Sequence, residues 1–586
     1  MRLEDYWGVG PKTSALLTDQ LDDEQAIEAI ESANVSALVD AGVSRGRATR
    51  ILRRAAGADA MEKLATSDTR AVYDKILNLA SASALTAGAA DRIRVLTPLP
   101  DQTAATDRLN LVSRATKAWN RLEADDRDDL IEVFERYDAS GETDQEAVGV
   151  TATLREIGFD GRHFPVLEGI DAGSLEEAAG ALGAVREVDG DVTVTGGADD
   201  QLDQLREQLA DARSMENDAF DIIDTVRDGS IRDLDTFQRS VIDHIATETE
   251  IPTNTIRRAA AEEAVDAADF VSGTLRELVA DLESQETDQE ESVASRLQSE
   301  IAAAGDDVET AVQAVPDLAF ALSLGRFASR HELTRPSFVE DGIAVRQARN
   351  LFLSGDVQPV SYAVGQHDIT NSRPDSIPSG DRVAVVTGAN SGGKTTLLET
   401  LCSVAVMASM GLPVPAADAE VSWVDRVVFH RRHASFNAGV LESTLRSVVP
   451  PLVDSGRTLM LVDEFEAITE PGRAADLLNG LVDLTVQHQS LGAFVTHLAE
   501  DLAPLPDEAR IDGIFAEGLT SDLELRVDYQ PRYGTIGKST PEFIVSRLVA
   551  NADRRVVRQG FEELAGTVGE EAVQRTLSDV QWNGDD

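Results

Sequence analysis

The sequence predicts a multidomain chain with an all-α N-terminal pair of helical hairpins, a mainly α middle region and a C-terminal α/β domain built around a phosphate-binding loop. Three observations carry this reading. A glycine-rich turn recurs near the N-terminus, apolar residues in the middle recur at helical spacing, and β-branched runs alternate with helices after Arg335-Pro336. These runs include VAVV (383–386), TLMLV (458–462) and GAFVT (492–496), and such alternation makes a parallel sheet. At 586 residues the chain exceeds what one core holds. The predicted domains are 1–58, 59–335 and 336–586.

The first domain carries GVGPKTSALL from Gly8 and GVSRGRATRIL from Gly42, which superpose Gly8 on Gly42, Gly10 on Ser44, Ser14 on Ala48 and Leu17 on Ile51. Each copy reads as a tight glycine turn opening a helix. The pattern resembles a tandem helix-hairpin-helix domain, which implies binding to the backbone of double-stranded DNA. On that resemblance Gly8, Gly10, Lys12, Gly42, Arg45 and Arg47 are the DNA-binding candidates. Helix-start amides would face a phosphate while the basic side chains add charge. The alternative is a hairpin pair that docks protein.

In the middle region QLDQLREQLADA places Leu202, Leu205 and Leu209 on one helical stripe. A strand-like GDVTVTGG from Gly190 interrupts the helices, and SQETDQEESVASR from Ser284 reads as a solvated acidic stretch. His163, His244 and His331 stand alone and read as structural or surface histidines.

Composition narrows the setting. The net charge is -51, with six Lys against 47 Arg and the acids spread along the whole chain. Self-repulsion of this size is tolerable where salt screens it, the Debye length being about 3 Å near molar salt, so a halophile's cytoplasm is expected. Cys402 is the sole cysteine, which excludes an intrachain disulfide and a Cys-rich metal site. MRLEDYWGVG lacks the features of an export signal, and the apolar run Leu401 to Ala417 is broken by Gly411, Pro413 and Pro415, so no membrane partner is expected.

The chemistry concentrates in the last domain. Gly388 to Thr395 reads GANSGGKT and fits G-x-x-x-x-G-K-[ST], with a strand before it and a helix after it. Its glycines turn backbone N–H groups onto phosphates, Lys394 reaches the β/γ oxygens, and Thr395 is placed to hold Mg²⁺. ATP and Mg²⁺ are therefore the expected cofactors. Asp463 at the end of an apolar strand would also hold Mg²⁺, and Glu464 would orient the attacking water. His497, ending the next strand, would sense the γ-phosphate. The catalytic candidates are thus Glu464, His497 and Lys394.

A nucleotide loop, a strand ending in Asp-Glu and a strand ending in His specify an ABC-type ATPase. No L-S-G-G signature stands between Lys394 and Asp463; NAGVLESTLRSVV stands there instead, with Ser443-Thr444 ahead of an apolar helix. That segment, TGANSGGKTTLL, MASMGLPVPAADAEV and FVTHLAEDL resemble the MutS family. The resemblance runs from about residue 60 to 586 and is strongest over 383–500. It implies a homodimer through the ATPase domain, with Ser443 offered in trans to a nucleotide held by Gly388, Asn390, Gly392, Gly393, Lys394, Thr395 and Thr396. Upstream, LTAGAADRIRVLTPLPD, GDVTVTGGADDQLDQLR and DLAFALSLGRFA resemble the family's core and lever.

Departures shape the expected function. The N-terminal hairpins stand where a mismatch-reading member carries an F-x-E wedge, and no nuclease domain follows the ATPase, so DNA cleavage is not expected. Glu466 and Ile468 replace the usual glycines, and Glu442 replaces a basic residue. The expectation is an ATP-hydrolysing DNA clamp in repair or recombination, acting on branched or other non-mismatch DNA. Alternatives are an RNA- or ribosome-directed ATPase, a DNA scaffold with negligible turnover, and a genuine mismatch binder.

Overall fold

A computed structural model describes residues 2–31, 33–55, 59–188, 191–227, 234–261, 264–355, 357–369, 377–388, 393–431, 438–454, 456–464, 471–498, 501–502, 504–519, 525–537, 541–552, 554–569 and 573–574. The chain is multidomain and mainly helical with mixed sheets. It forms two compact units, residues 1–127 with 316–586, and residues 128–315.

The first unit opens with α1 (Pro11–Gln20), α2 (Asp23–Glu31), α3 (Val35–Asp40) and α4 (Arg45–Ala55). The repeat in sequence is a repeat in geometry. Gly8 and Gly42 have φ of 84° and 89°, a left-handed conformation that favours glycine. The amides of Thr13 and Ser14 bond Gly10 O just as those of Arg47 and Ala48 bond Ser44 O. Val9 and Val43, and Leu17 and Ile51, are buried as matched pairs. Then come α5 (Ser67–Ser81), α6 (Ala87–Arg94) and α7 (Gln102–Arg121). Each starts at a Thr66, Thr86 or Asp101 side chain that accepts from a first-turn amide, which sets the helix start.

The second unit is built from α8 (Ala124–Ala139), which begins in the first, then α9 (Asp144–Glu156), α10 (Ala172–Ala184), the hairpin β1 (Val185–Val188) and β2 (Asp191–Val194), α11 (Asp200–Asn217), α12 (Ala219–Arg227), α13 (Leu234–Glu248), α14 (Thr253–Arg258) and α15 (Ala267–Ala303). Helix α16 (Gly305–Arg330) returns the chain to the first unit. The strand-like stretch is the antiparallel hairpin β1–β2. Leu202 and Leu209 are buried on α11, and Leu205 packs against the cluster that holds Leu209. The acidic stretch from Ser284 lies within α15: its Glu and Gln residues favour helix, and Val293 and Ala294 continue the buried stripe toward Leu297. His163 stacks on Phe159 and bonds Asp160.

The C-terminal part runs β3 (Ser337–Val339), β4 (Gly342–Ala348), β5 (Val360–Gly365), β6 (Val383–Gly388), α17 (Lys394–Ser409), β7 (Asp418–Ser422), β8 (Arg426–His430), α18 (Ala438–Val453), β9 (Thr458–Asp463), α19 (Pro471–Gln487), β10 (Leu491–Val495), β11 (Ala509–Leu519), β12 (Leu525–Tyr533), α20 (Pro541–Ala550) and α21 (Arg555–Val568). Six strands form a sheet in the order β12-β11-β6-β10-β9-β8, parallel except for β12. Every residue of β6, β9 and β10 is buried, as expected where helices cover both faces of a parallel sheet. A second sheet has the order β3-β7-β4-β5.

Residues 59–127 belong to the first unit, whereas the sequence alone grouped 59–335 as one region. The cause is the edge strand β8. Thr66 Oγ1 donates to Phe429 O at 2.5 Å, Thr69 Oγ1 donates to Val427 O at 3.1 Å, and Leu64 bridges Val427, so the start of α5 supplies partners to an edge otherwise left unpaired.

Candidate functional site

The carboxyl ends of neighbouring parallel strands β6, β10 and β9 form the crevice where open α/β sheets place ligands. Strand β6 ends at Gly388, whose φ is 129°. A Cβ there would lie 2.1 Å from Ile514 O on β11, so only glycine permits the strands to approach. Asn390 and Gly392 lie outside the described residues. Gly393 follows at φ 74° and caps α17, and a Cβ on it would meet the Tyr529 ring at 2.7 Å. Lys394 is buried and its Nζ donates to Gly388 O at 2.8 Å, which folds the lysine back across the loop.

Thr395 Oγ1 donates to Asp463 Oδ2 at 2.6 Å. Two cis oxygens of an octahedral Mg²⁺ shell of about 2.0–2.1 Å radius stand about 2.9 Å apart, so a small separation lets both enter one shell. The hydroxyl and carboxylate are also the hard oxygen donors that this cation prefers. Asp463 is 3% exposed, so a cation beside it would balance a nearly buried charge.

Glu464 follows Asp463 at φ 44°, a conformation that a glutamate adopts only when its surroundings hold it. Its amide donates to Val495 O at 3.0 Å, tying β9 to β10 past the last ladder pair. Its Oε1 lies 2.9 Å from His497 Nε2, close enough for a hydrogen bond that joins two catalytic candidates. Ser443-Thr444 lies within the second turn of α18 rather than ahead of the helix as the sequence suggests, because the helix already starts at Ala438; Ser443 is exposed there, while Thr444 is buried 3.4 Å from His430 Nε2. Glu442 pairs with Arg446 at 2.6 Å along the same helix. Glu466 and Ile468 lie outside the described residues.

Beside this edge is a cleft of about 460 Å³ lined by Lys394, Thr395, Thr396, Glu464 and Tyr529, with Leu353 and Val357 on its apolar side. Tyr529 is 40% exposed, an aromatic face open to a planar ligand. Gln358 fixes it in place: its side chain donates to Asp528 at 2.9 Å and accepts from Tyr529 N at 3.3 Å. These residues were not among the sequence-derived candidates, because neither carries a motif and the 170 or so residues between them close only in the fold.

A second unread group is Asp512, fully buried on β11. It accepts from Tyr362 Oη at 2.8 Å, Arg510 Nε at 2.9 Å and Gly534 N at 3.2 Å, while its carbonyl accepts from Thr387 Oγ1 at 3.1 Å. Gly537 N then donates to Thr387 Oγ1 at 2.7 Å, so the segment after β12 is held against the start of the phosphate loop. Burial and Asp512 push the Tyr362 hydroxyl well above its ordinary range, keeping it a neutral donor.

The DNA-binding candidates cluster at the starts of α1 and α4. Gly10 caps α1 with open space beside it, and Lys12 is exposed. Arg47 is exposed and bonds Gly8 O at 3.2 Å, so the two turns are neighbours. Arg45 is partly committed: its guanidinium donates to both oxygens of Asp91 at 2.7 Å, and Asp91 also takes Arg94 at 2.8 Å.

Residues 384–449 match the family described as MutS domain V. Among curated proteins, the chain is 41% identical over 240 residues to "DNA-binding protein MutS2" of Pyrococcus furiosus, covering 40% of this chain and 41% of that one. It is 27% identical over 310 residues to "Endonuclease MutS2" of Thermomicrobium roseum, covering 51% of this chain and 37% of that one. It is 29% identical over 252 residues to "DNA mismatch repair protein MutS" of Natronomonas pharaonis, covering 40% and 27%. The match thus spans less than half the length of each of these relatives. The similarity to the MutS family is thus found over residues 384–449, which include Lys394 and the whole of α17.

Proposed function

We propose that this protein is an ATP-hydrolysing, DNA-binding MutS-type clamp of DNA repair or recombination. The observation that carries this reading is the convergence of Lys394, Thr395, Asp463, Glu464 and His497 at adjoining strand ends beside a cleft of nucleotide size. The relative named for DNA binding supports DNA as the polymer.

In this reading the nucleotide base lies on Tyr529 and its phosphates meet the helix-start amides of α17. Lys394 turns from Gly388 O to the β/γ oxygens, replacing a neutral acceptor with a charged one. Thr395 and Asp463 hold Mg²⁺, which when bound neutralises charge on the phosphates. Glu464 accepts the proton of the attacking water, and His497 holds the Glu464 carboxylate in its left-handed position until the γ-phosphate competes for the ring. Ser443 of a second copy completes the site, which makes the dimer state depend on the nucleotide.

On DNA, Lys12, Arg47 and the hairpin amides contact the backbone, with branched or other non-mismatch DNA as the preferred structure. At a net charge of -51 the acidic chain binds through local groups rather than its overall field. A competition assay in the high salt where the protein is folded, with branched DNA, mismatched DNA, plain duplex and RNA, tests this. Preference for branched DNA together with DNA-stimulated turnover is expected. Preference for RNA or for mismatches, or turnover near zero with every polymer, overturns it in favour of the corresponding alternative. Because several relatives are named endonucleases, DNA integrity after incubation is read in the same assay, and intact DNA is expected.

A further inference from the structure

Helix α5 carries, on two consecutive residues, one ion pair to the last turn of α4 in the hairpin pair and one to α17 beside the cleft. On one side, Arg53 of α4 donates to Asp74 at 2.9 Å and to Arg94 O at 2.8 Å, and its guanidinium lies 4.9 Å from the Tyr73 ring centre. On the other side, Lys75 donates to Glu399 of α17 at 3.0 Å. Glu399 is 8% exposed and also receives Arg431. Its second oxygen accepts from Asn350 Nδ2 at 3.3 Å, and the same amide reaches Thr400 Oγ1 at 3.3 Å. Asn350 and Thr400 line the nucleotide cleft.

The helix between these pairs is stiffly held. Val72, Ile76, Leu77 and Ala80 are buried in the core, and Tyr73 Oη donates to Leu96 O at 2.5 Å. Consecutive residues on one helix share its hydrogen-bond ladder, so a shift imposed at Asp74 is carried to Lys75. A nearly buried carboxylate is sensitive to its cations: withdrawing Lys75 leaves Glu399 less compensated. Arg431 and Asn350, which already bond Glu399, are then its remaining partners, and Asn350 forms part of the cleft wall.

We propose that Asp74 and Lys75 are positioning residues through which the N-terminal hairpin pair and the nucleotide cleft are coupled along α5. The inference rests on the ATP- and DNA-binding reading above. Coupling of binding free energies is reciprocal, so nucleotide must change DNA affinity by the factor with which DNA changes nucleotide affinity.

The test uses the full chain in high salt and measures the Kd for a labelled duplex with and without a non-hydrolysable ATP analogue. In the unaltered protein the two Kd values should differ about fivefold or more, the lower end of ordinary coupling. In Lys75→Met and in Asp74→Ala the ratio should fall close to one, while Lys75→Arg, which keeps the cation, should retain it. A ratio of one in an unaltered protein that binds both ligands overturns the coupling. So does a retained ratio in Lys75→Met that merely melts at lower temperature, since a purely structural contact would behave that way. Failure of the unaltered protein to bind DNA or the analogue at all is a distinct result, which removes the functional reading and this inference with it.

Discussion

The carboxyl edge of the central sheet and the N-terminal hairpin pair both begin from glycine-rich turns opening helices, yet they use their polar residues differently. At the sheet edge, strand register brings Val386, Val495 and Asp463 alongside one another, and Glu464 just beyond lines a cleft together with Lys394 and Thr395. In the hairpin pair, the geometry of the two turns is repeated, but Arg45 is spent on Asp91 and Arg53 on Asp74. Ladder hydrogen bonds place residues within tenths of an ångström, whereas long exposed side chains choose among whatever carboxylates lie nearby. In a chain this rich in acids, a basic residue at a motif position is a weaker pointer to a ligand than a glycine or a strand end.

The largest effect expected from this contrast is at Lys394. Lys394→Ala should lower steady-state ATP turnover by about 10³-fold, the upper range for loss of one charge-stabilising donor; unimpaired turnover would remove the site assignment. Next is Glu464→Gln, which should lower turnover by about 10²-fold while nucleotide still binds. Native mass or light scattering should then find the ATP-bound dimer persisting, and rapid turnover would take Glu464 out of its role. Tyr529→Ala should raise the KM for ATP about tenfold with kcat little changed, the size of one lost base stack. An unchanged KM would mean that the ring does not carry the base.

The smallest effect should come from the hairpin pair. Asp91→Ala removes from Arg45 and Arg94 a shared carboxylate that is only 4% exposed, but it returns a half-exposed Arg45 to water. The loss of stability should therefore be about 1.5–3 kcal/mol, as for hydrogen bonds to charged groups. DNA affinity should hold or rise as Arg45 is freed. A steep fall in DNA affinity without unfolding would instead place Asp91 in the DNA-binding geometry, and so blur the contrast between the two regions.

Legibility in the sequence followed the same division. The strands that end at Gly388, Asp463 and Val495 were readable because short β-branched runs bounded by glycine or polar residues show within a few residues. The repeat at Gly8 and Gly42 was readable because a left-handed turn restricts its residue. Tyr529, Gln358 and Asp512 were not readable. They lie on strands and loops far apart in the chain, and their residue types are common at exposed or buried positions alike.

By itself the sequence determined the local geometry: where glycine must bend the chain, where helices start, and which strands end in acids or histidine. These follow from backbone sterics and hydrogen-bond inventory, which act over a few residues. Tertiary structure alone decided which of those pieces meet. It paired the β8 edge with the start of α5, drawing residues 59–127 into the unit with the sheet. It also placed Asp74 and Lys75 between α4 and α17, and turned Arg45 toward Asp91. Such pairings depend on burial of surfaces distant in sequence, and no window along the chain contains both partners.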